Sequence, residues 1–120
     1  MTITGSCHCG ATRFQIETAP QSVTACTCAF CSKTGALWAY YTPGEVKFTS
    51  NTADGLYAPN LNRHHFCAIC GCTTFGESPT WSLDGTADFS KPKLAINARL
   101  LDDVDLARIP VATIDGRNLW

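Results

Sequence analysis

The stretch Cys26-Thr27-Cys28-Ala29-Phe30-Cys31 places three thiols within six residues. Thiols at this spacing can bind one metal ion together, and the neighbouring sequence supplies no fourth thiol. A tetrahedral zinc ion with three protein ligands keeps one position open for water or substrate, which is typical of catalytic rather than structural zinc. The stretch therefore predicts an open zinc site, and the rest of the chain is best understood as the scaffold around it.

The other five cysteines lie in two groups, Cys7 with Cys9 and Cys67 with Cys70 and Cys72. A closed structural zinc site takes four sulfurs, commonly from two close pairs. Cys7, Cys9, Cys67 and Cys70 meet this demand, because Cys67-Ala-Ile-Cys70-Gly is a knuckle sequence whose glycine allows the tight bend. Such a site would clamp the N-terminal strand to a later hairpin and constrain the unfolded chain.

Eight cysteines in 120 residues indicate disulfides, metal sites or redox chemistry. The N-terminus shows no charged segment followed by an apolar one, so we expect an unexported, soluble, cytoplasmic protein. Thiols in that compartment stay reduced, and a Cys-x-Cys pair is too close to form an unstrained disulfide. Two zinc ions are therefore the expected cofactors, and disulfides are the less favoured alternative.

Length and charge limit the remaining possibilities. A chain of 120 residues normally folds around one core, so we expect a single zinc-binding domain over residues 1–120. The formal charge is -1 and no run of Lys or Arg occurs, so nucleic acid is not an expected partner. No apolar run approaches the ~18 residues of a membrane span. The sequence pattern leaves the oligomeric state open.

The local pattern predicts a mainly β protein, a small β-sandwich of short strands held together by zinc. Residues 12–17 alternate, which places Phe14 and Ile16 inward. Further strands are predicted at 23–25, 36–41, 45–49, 56–58, 62–66, 73–76 and 93–101. A tight loop or a single helical turn is expected to end at Gly35, and another helical turn is expected at 102–107. We expect a polar turn at 50–55 and a loop punctuated by Pro79, Gly85 and Pro92. The tail, 111–120, shows no recognisable chemistry.

An open site with three thiolates suits a particular kind of chemistry. A zinc ion with three thiolates has a net charge of -1, so it polarises water or a carbonyl less than a site with three histidines does. Binding to zinc would instead deprotonate a visiting thiol, and the resulting thiolate could attack an electrophile such as an aldehyde. Lys33 could offset the negative charge or meet a carboxylate of the substrate, although a lone lysine is usually a solvated charge.

Purely structural roles are the alternative to this functional interpretation. The triplet could be a second closed zinc site, with Cys72 or His65 as its fourth ligand. Cys72 could also be a buried free thiol, and His65 is more often a hydrogen-bonded structural residue than a ligand or an acid. We expect no role for His8. Aromatic residues at 38, 40 and 41 could line a ligand pocket, but aromatic strands usually belong to the core.

Several motifs resemble the glutathione-dependent formaldehyde-activating enzyme family, which includes the relatives of centromere protein V. The motifs are Gly5-Ser-Cys7-His-Cys9-Gly-Ala, Cys26-Thr-Cys28-Ala-Phe-Cys31, Arg63-His-His-Phe-Cys67-Ala-Ile-Cys70-Gly and Asn97-Ala-Arg99-Leu-Leu-Asp102-Asp-Val-Asp-Leu106. Together they cover most of the chain. Seven thiols agree in order and spacing, which is improbable by chance.

This resemblance implies a β-rich "beta-tent" fold with two zinc ions. It implies a structural zinc at Cys7, Cys9, Cys67 and Cys70, and a catalytic zinc at Cys26, Cys28 and Cys31. It also implies carbon–sulfur lyase chemistry, in which glutathione and formaldehyde combine reversibly to S-hydroxymethylglutathione. The competing hypothesis is a binding or scaffold module in which both zinc ions are structural and no reaction is catalysed.

Overall fold

Ten strands and two short helices follow one another in residues 2–82 and 84–119, the ranges that the computed structural model describes. Short 3-10 turns at Pro43–Glu45, Ala98–Leu100 and Leu106–Arg108 connect some of them. The strands and helices are β1 Ile3–Ser6, β2 Thr12–Ile16, β3 Val23–Cys26, α1 Ala29–Thr34, β4 Trp38–Tyr41, β5 Val46–Asn51, β6 Asp54–Tyr57, β7 Arg63–Cys67, β8 Thr73–Trp81, β9 Ala87–Asn97, β10 Val111–Ile114 and α2 Gly116–Leu119.

The strands form two sheets. Three strands make a small antiparallel sheet in the order β1-β2-β5. The larger sheet has seven strands in the order β10-β3-β4-β9-β8-β7-β6, and it is antiparallel except for the parallel pair of β10 and β3. The prediction of a mainly β fold built from short strands is therefore confirmed. None of the helices in the described ranges is long and apolar enough to cross a membrane.

One hydrophobic core lies between the two sheets. Phe14 and Ile16 of β2 point into it, as their alternation with polar residues predicts. On the other side Phe75, Leu94 and Ile96 contribute the inner face of β8 and β9. Each fully buried side chain of this size stabilises the fold by roughly 1.5–3 kcal/mol. The core therefore fixes which face of the seven-stranded sheet points outward.

The predicted loop around Pro79 and Pro92 is wrong, because both prolines lie inside long paired strands. Pairing runs through Ser78 with Lys93 and resumes only at Thr80 with Asp88. Each proline falls in the interrupted stretch, where a missing backbone N–H breaks no ladder hydrogen bond. Proline therefore marks the irregularity in this hairpin and not its end.

Three smaller boundaries also differ from the prediction. The strand expected at 93–101 ends at Asn97, whose side chain caps a 3-10 turn by accepting a hydrogen bond from the Arg99 N–H. The helical turn expected at 102–107 is a 3-10 turn at Leu106–Arg108. The polar turn expected at 50–55 shortens to the two residues between β5 and β6.

Candidate metal centre

Four thiols from distant parts of the chain meet at one end of the molecule. The Sγ atoms of Cys7, Cys9, Cys67 and Cys70, here called the first cluster, all lie within 4.8 Å of one another. Cys7 and Cys9 lie in the connection between β1 and β2, whereas Cys67 ends β7 and Cys70 lies in the tight turn before β8. The first cluster therefore links the small sheet to the large one.

The spacing of these sulfurs fits a zinc ion. A tetrahedral zinc with Zn–S bonds of about 2.3 Å separates its sulfurs by about 3.8 Å. The Sγ atoms of Cys7 and Cys9 are 3.7 Å apart, and those of Cys9 and Cys67 are 3.6 Å apart. A disulfide would need about 2.05 Å, and all eight cysteines are free thiols. The first cluster therefore has the donors and the spacing to hold a metal ion.

Backbone N–H groups prepare the first cluster to bind a cation. The N–H groups of Cys72 and Cys9 lower the pKa of Cys70 to about 5, so that its thiolate exists at neutral pH. Burial tends to raise the pKa of Cys7, but the Thr12 N–H, 3.3 Å from its Sγ, and the neighbouring Cys9 outweigh burial and lower it. Part of the site is therefore deprotonated before any metal arrives.

The three thiols of Cys26, Cys28 and Cys31, here called the second cluster, also meet, with their Sγ atoms within 4.8 Å of one another. Cys26 ends β3, Cys28 caps the N-terminus of α1, and Cys31 lies one turn later. Across residues 2–82 and 84–119, no further His, Cys, Asp or Glu side chain joins this group. The second cluster is therefore a donor set of three.

Local hydrogen bonds fix the orientation of the second cluster. The Cys28 N–H donates to Cys26 Sγ at 3.5 Å, and the Cys31 N–H donates to Cys28 Sγ at 3.4 Å. The third sulfur, Cys31 Sγ, accepts a hydrogen bond from the Trp38 indole Nε1 at 3.3 Å. Burial raises the pKa of Cys31 to about 12 in the metal-free protein. This thiol therefore needs a metal ion to become a thiolate near neutral pH.

The two residues considered as a fourth ligand lie elsewhere. Cys72 lies beside the first cluster. The His8 N–H acts to lower the pKa of Cys72, but burial and the thiols of Cys70 and Cys7 outweigh it, so the pKa is raised. His65 is buried on the inner face of the sheet and stacks on Phe75 at 4.0 Å between ring centroids. Neither residue belongs to the second cluster. A protein-derived fourth ligand from Cys72 or His65 is therefore absent among the described residues.

The ring nitrogens of His65 face two carboxylates. Its Nδ1 lies 2.9 Å from Asp54 Oδ2, and its Nε2 lies 2.8 Å from Glu77 Oε1. The contact with Glu77 is short but is not aligned as a hydrogen bond. Structural packing accounts for His65 in this arrangement.

The aromatic strand β4 divides its side chains between the two faces of the sheet. Tyr41 packs against the core, and its hydroxyl donates to the Thr18 carbonyl at 2.8 Å. Trp38 and Tyr40 point to the outer face, where Trp38 contacts the second cluster. Burial and the nearby thiols raise the pKa of Tyr40. Lys33 lies in the last turn of α1 and is exposed.

The tail beyond residue 110, which the sequence pattern left without a role, returns to the second cluster. β10 pairs in parallel with β3 and places Ile114 beside Cys26. Gly116 is buried there, and a Cβ atom on it would lie 2.5 Å from Cys26 Sγ and 3.0 Å from Cys28 Cβ. The sequence gives no sign of this contact except the glycine itself. Glycine is common in turns and loops far from any metal site, so it could not be recognised as a neighbour of the thiols.

A cavity on the protein surface lies apart from the thiols. It has a volume of ≈ 470 Å³, and its lining is mainly apolar and includes Phe48, Phe75 and Leu94. No cysteine contributes to it among the described residues. The open donor set of the second cluster, and not this cavity, is the chemically distinctive feature of the molecule.

Comparisons with known proteins agree with this geometry. The family model for the glutathione-dependent formaldehyde-activating enzyme matches residues 2–103. A Halomonas elongata protein, provisionally named as such an enzyme, is 33% identical over 95 residues, which cover 68% of this chain. The chain spans 59% of that relative's length.

A solved structure shows the same fold. The crystal structure of a Rhodobacter sphaeroides protein superposes with a TM-score of 0.69 over 91% of this chain and 99% of that one, at 23% identity. This likeness bears on the fold alone. The family assignment rests on the match over residues 2–103, which includes all eight cysteines. The chain belongs to the glutathione-dependent formaldehyde-activating enzyme family.

Proposed function

We propose that the chain is a zinc-dependent carbon–sulfur lyase that joins a small thiol of the glutathione type to formaldehyde or a related aldehyde. In this proposal the first cluster holds a structural zinc, and the second cluster holds the zinc at which the thiol is activated. Both ions belong to one domain over residues 1–120. The small thiol is the expected partner, and the cytoplasm is the expected location.

The observation that carries the proposal is the number of donors in the second cluster. Three sulfurs converge there, and no fourth donor of the usual kinds joins them in the described ranges. Zinc sites with three protein ligands keep a position for an exogenous ligand. A zinc ion in the second cluster would hold a substrate thiol as a thiolate near neutral pH.

The proposed reaction adds a thiol across a carbonyl group and is balanced without any redox partner. A C–S bond forms between the thiol sulfur and the carbonyl carbon, and the π bond of the C=O group breaks. The thiol proton ends on the carbonyl oxygen, which gives a hydroxymethyl thioether. The reverse reaction is the lyase direction.

The residues of the chain have distinct parts in this scheme. Trp38 holds Cys31 in place through its indole N–H, and backbone N–H groups hold the other two sulfurs. These hydrogen bonds also disperse negative charge, which would otherwise disfavour the approach of an anionic thiol. Half of Tyr40 is exposed on the same face, and its raised pKa keeps its hydroxyl protonated.

Exchange spectroscopy by NMR tests the proposal, since it measures how fast glutathione and ¹³C-formaldehyde interconvert with their adduct at equilibrium. The wild-type protein loaded with zinc should accelerate this exchange about tenfold or more over the buffer. Cys28→Ala should not accelerate it. Cys72→Ala, which alters a thiol outside both donor sets, should behave as wild type. Absence of acceleration by the fully loaded wild type would favour the module with two structural zinc ions.

A further inference from the structure

A row of five paired residues crosses the outer face of the seven-stranded sheet beside the second cluster. Paired residues of neighbouring strands share a face, so the whole row projects away from the core. The residues that alternate with it, such as Phe75 and Ile96, point into the core. From β4 to β6 the row is Tyr40, Ala95, Gly76, His64 and Tyr57.

The middle of this row is open. Ala95 has only a methyl group and Gly76 has no side chain, so little rises above the strands there. A Cβ atom on Gly76 would approach a single atom, the Arg63 carbonyl oxygen, at 3.6 Å. Strands lie about 4.8 Å apart, so Tyr40 and His64 are separated by about 14 Å. A glycine inside a strand weakens it and often marks a place where a ligand approaches closely. We call this depression the outer trough.

An aromatic wall bounds one side of the outer trough. The His64 ring stacks on Phe30 with 3.8 Å between centroids, and the Tyr57 ring lies 6.1 Å from Phe30. Tyr57 is 52% exposed, so the wall presents an aromatic surface to solvent. Phe30 lies between Cys28 and Cys31 in the chain. The wall therefore starts at the second cluster.

The opposite wall combines an aromatic ring with a cation. Tyr40 is 48% exposed, and Lys93 Nζ lies 5.5 Å from the centroid of its ring. Trp38, on the same face of β4, donates to Cys31 Sγ and so marks the end of the trough nearest the thiols. Lys93 lies four residues along β9 from Asn97, the residue paired with Trp38, which is about 13 Å away. The trough therefore runs from the second cluster to a positive charge.

We propose that the outer trough holds the peptide body of the thiol substrate, with a terminal carboxylate of that peptide paired with Lys93. This inference rests on the proposed function and names the recognition site for its substrate. An extended tripeptide spans about 10 Å, which fits the trough, and its carboxylate complements the charge of Lys93. A thiol without a peptide body, such as 2-mercaptoethanol, would need only the second cluster.

Titration of the cobalt(II)-substituted protein tests this proposal, because the visible spectrum reports a thiol that enters the metal site. Gly76→Leu fills the trough without a backbone clash. It should raise the apparent Kd for glutathione about tenfold or more and leave that for 2-mercaptoethanol unchanged. Gly44→Leu is the control, since a Cβ there meets nothing within 4 Å and the site lies outside the trough. Equal glutathione binding by Gly76→Leu and wild type would overturn the proposal.

Lys93→Ala provides a second test that does not depend on filling the trough. It should raise the apparent Kd for glutathione several-fold. Lys47→Ala, which removes an exposed lysine from the other sheet, should leave that Kd unchanged. Raised salt should reduce the difference between Lys93→Ala and wild type. If Lys93→Ala and Lys47→Ala bind glutathione equally well, the assignment of the carboxylate is wrong.

The two proposals fail in different ways in this experiment. If both thiols change the spectrum of the wild type, and glutathione binds every variant with the same affinity, the proposed trough is wrong. The proposed open site at the second cluster would remain supported. A wild-type spectrum that responds to neither thiol contradicts the open site itself, and the trough with it.

Discussion

The backbone of Gly116 lies so close to the second cluster that even a methyl side chain would not fit there. Its backbone packs against Cys26 and Cys28, and a methyl group there would overlap Cys26 Sγ at 2.5 Å. Atoms this close must move apart, and the neighbours are a ligand sulfur and a backbone nitrogen rather than the end of a flexible chain. We therefore expect Gly116 to help position the thiols of the second cluster.

Gly116→Ala should weaken metal binding at the second cluster about tenfold or more, because the added methyl group displaces a ligand sulfur. The first cluster should bind its metal as before. Competition with a chromogenic chelator measures both affinities. Gly44→Ala, at a site with open space around it, is the control. Unchanged affinity at both clusters in Gly116→Ala would show that the tail does not position the ligands.

The cysteines are the residues that the sequence predicts best, because metal ligands must follow spacing rules that survive without any structure. The predicted grouping places four thiols and three thiols together, and the structure brings the same two groups together. Gly116 and His65 could not be assigned in this way. Gly116 follows β10, which pairs with β3, a strand distant in sequence. The two carboxylates that face His65 come from β6 and β8, and only the register of these strands with β7 brings them to the imidazole ring.

At the scale of the element, each cluster depends on a different kind of local structure. Cys67 and Cys70 flank a tight turn at the tip of the β7–β8 hairpin, in which the Gly71 N–H donates to the Cys67 carbonyl at 2.8 Å. Cys28 and Cys31 instead belong to α1, a helix of six residues with no buried side chain. A short exposed helix contributes little stability of its own.

Cys70→Ala and Cys28→Ala should therefore differ in their effect on folding. Losing Cys70 opens a site whose metal binding is part of the folding free energy, of order 10 kcal/mol in small zinc domains, so we expect the domain to unfold. Cys28→Ala should stay folded and bind one metal ion. Circular dichroism and metal counting distinguish these states. The control is Cys72→Ala, which should stay folded with two ions, and equal folding of Cys70→Ala and Cys28→Ala would refute this division of roles.

The elements themselves were predictable to different degrees. Alternation located β2, and thiol spacing located the β7–β8 hairpin, because both are short-range signals. Pro79 and Pro92 suggested a loop, since proline cannot donate to a ladder, yet both prolines lie in the stretch where the pairing of β8 with β9 is interrupted. β10 was missed because a parallel partner is set by the fold and not by neighbouring residues.

At the scale of the molecule, the two clusters occupy different places relative to the two sheets. The first cluster joins the small sheet to the large one, and the hydrophobic core fills the space between them. This arrangement holds the outer face of the large sheet in place. The second cluster and the outer trough lie on that face, so in the proposed function the reaction would take place on a surface that the first cluster helps to hold in place.

The most direct test of the account is ¹¹³Cd NMR of the protein with cadmium in both sites, because the chemical shift of the metal reports how many sulfurs bind it. We predict two resonances, one in the four-sulfur range and one upfield of it, as expected for three sulfurs and an oxygen. Added glutathione should move only the second resonance towards the four-sulfur range. Two four-sulfur resonances before any thiol is added, both unchanged by glutathione, would contradict the claim that the second cluster keeps a position open for a substrate thiol.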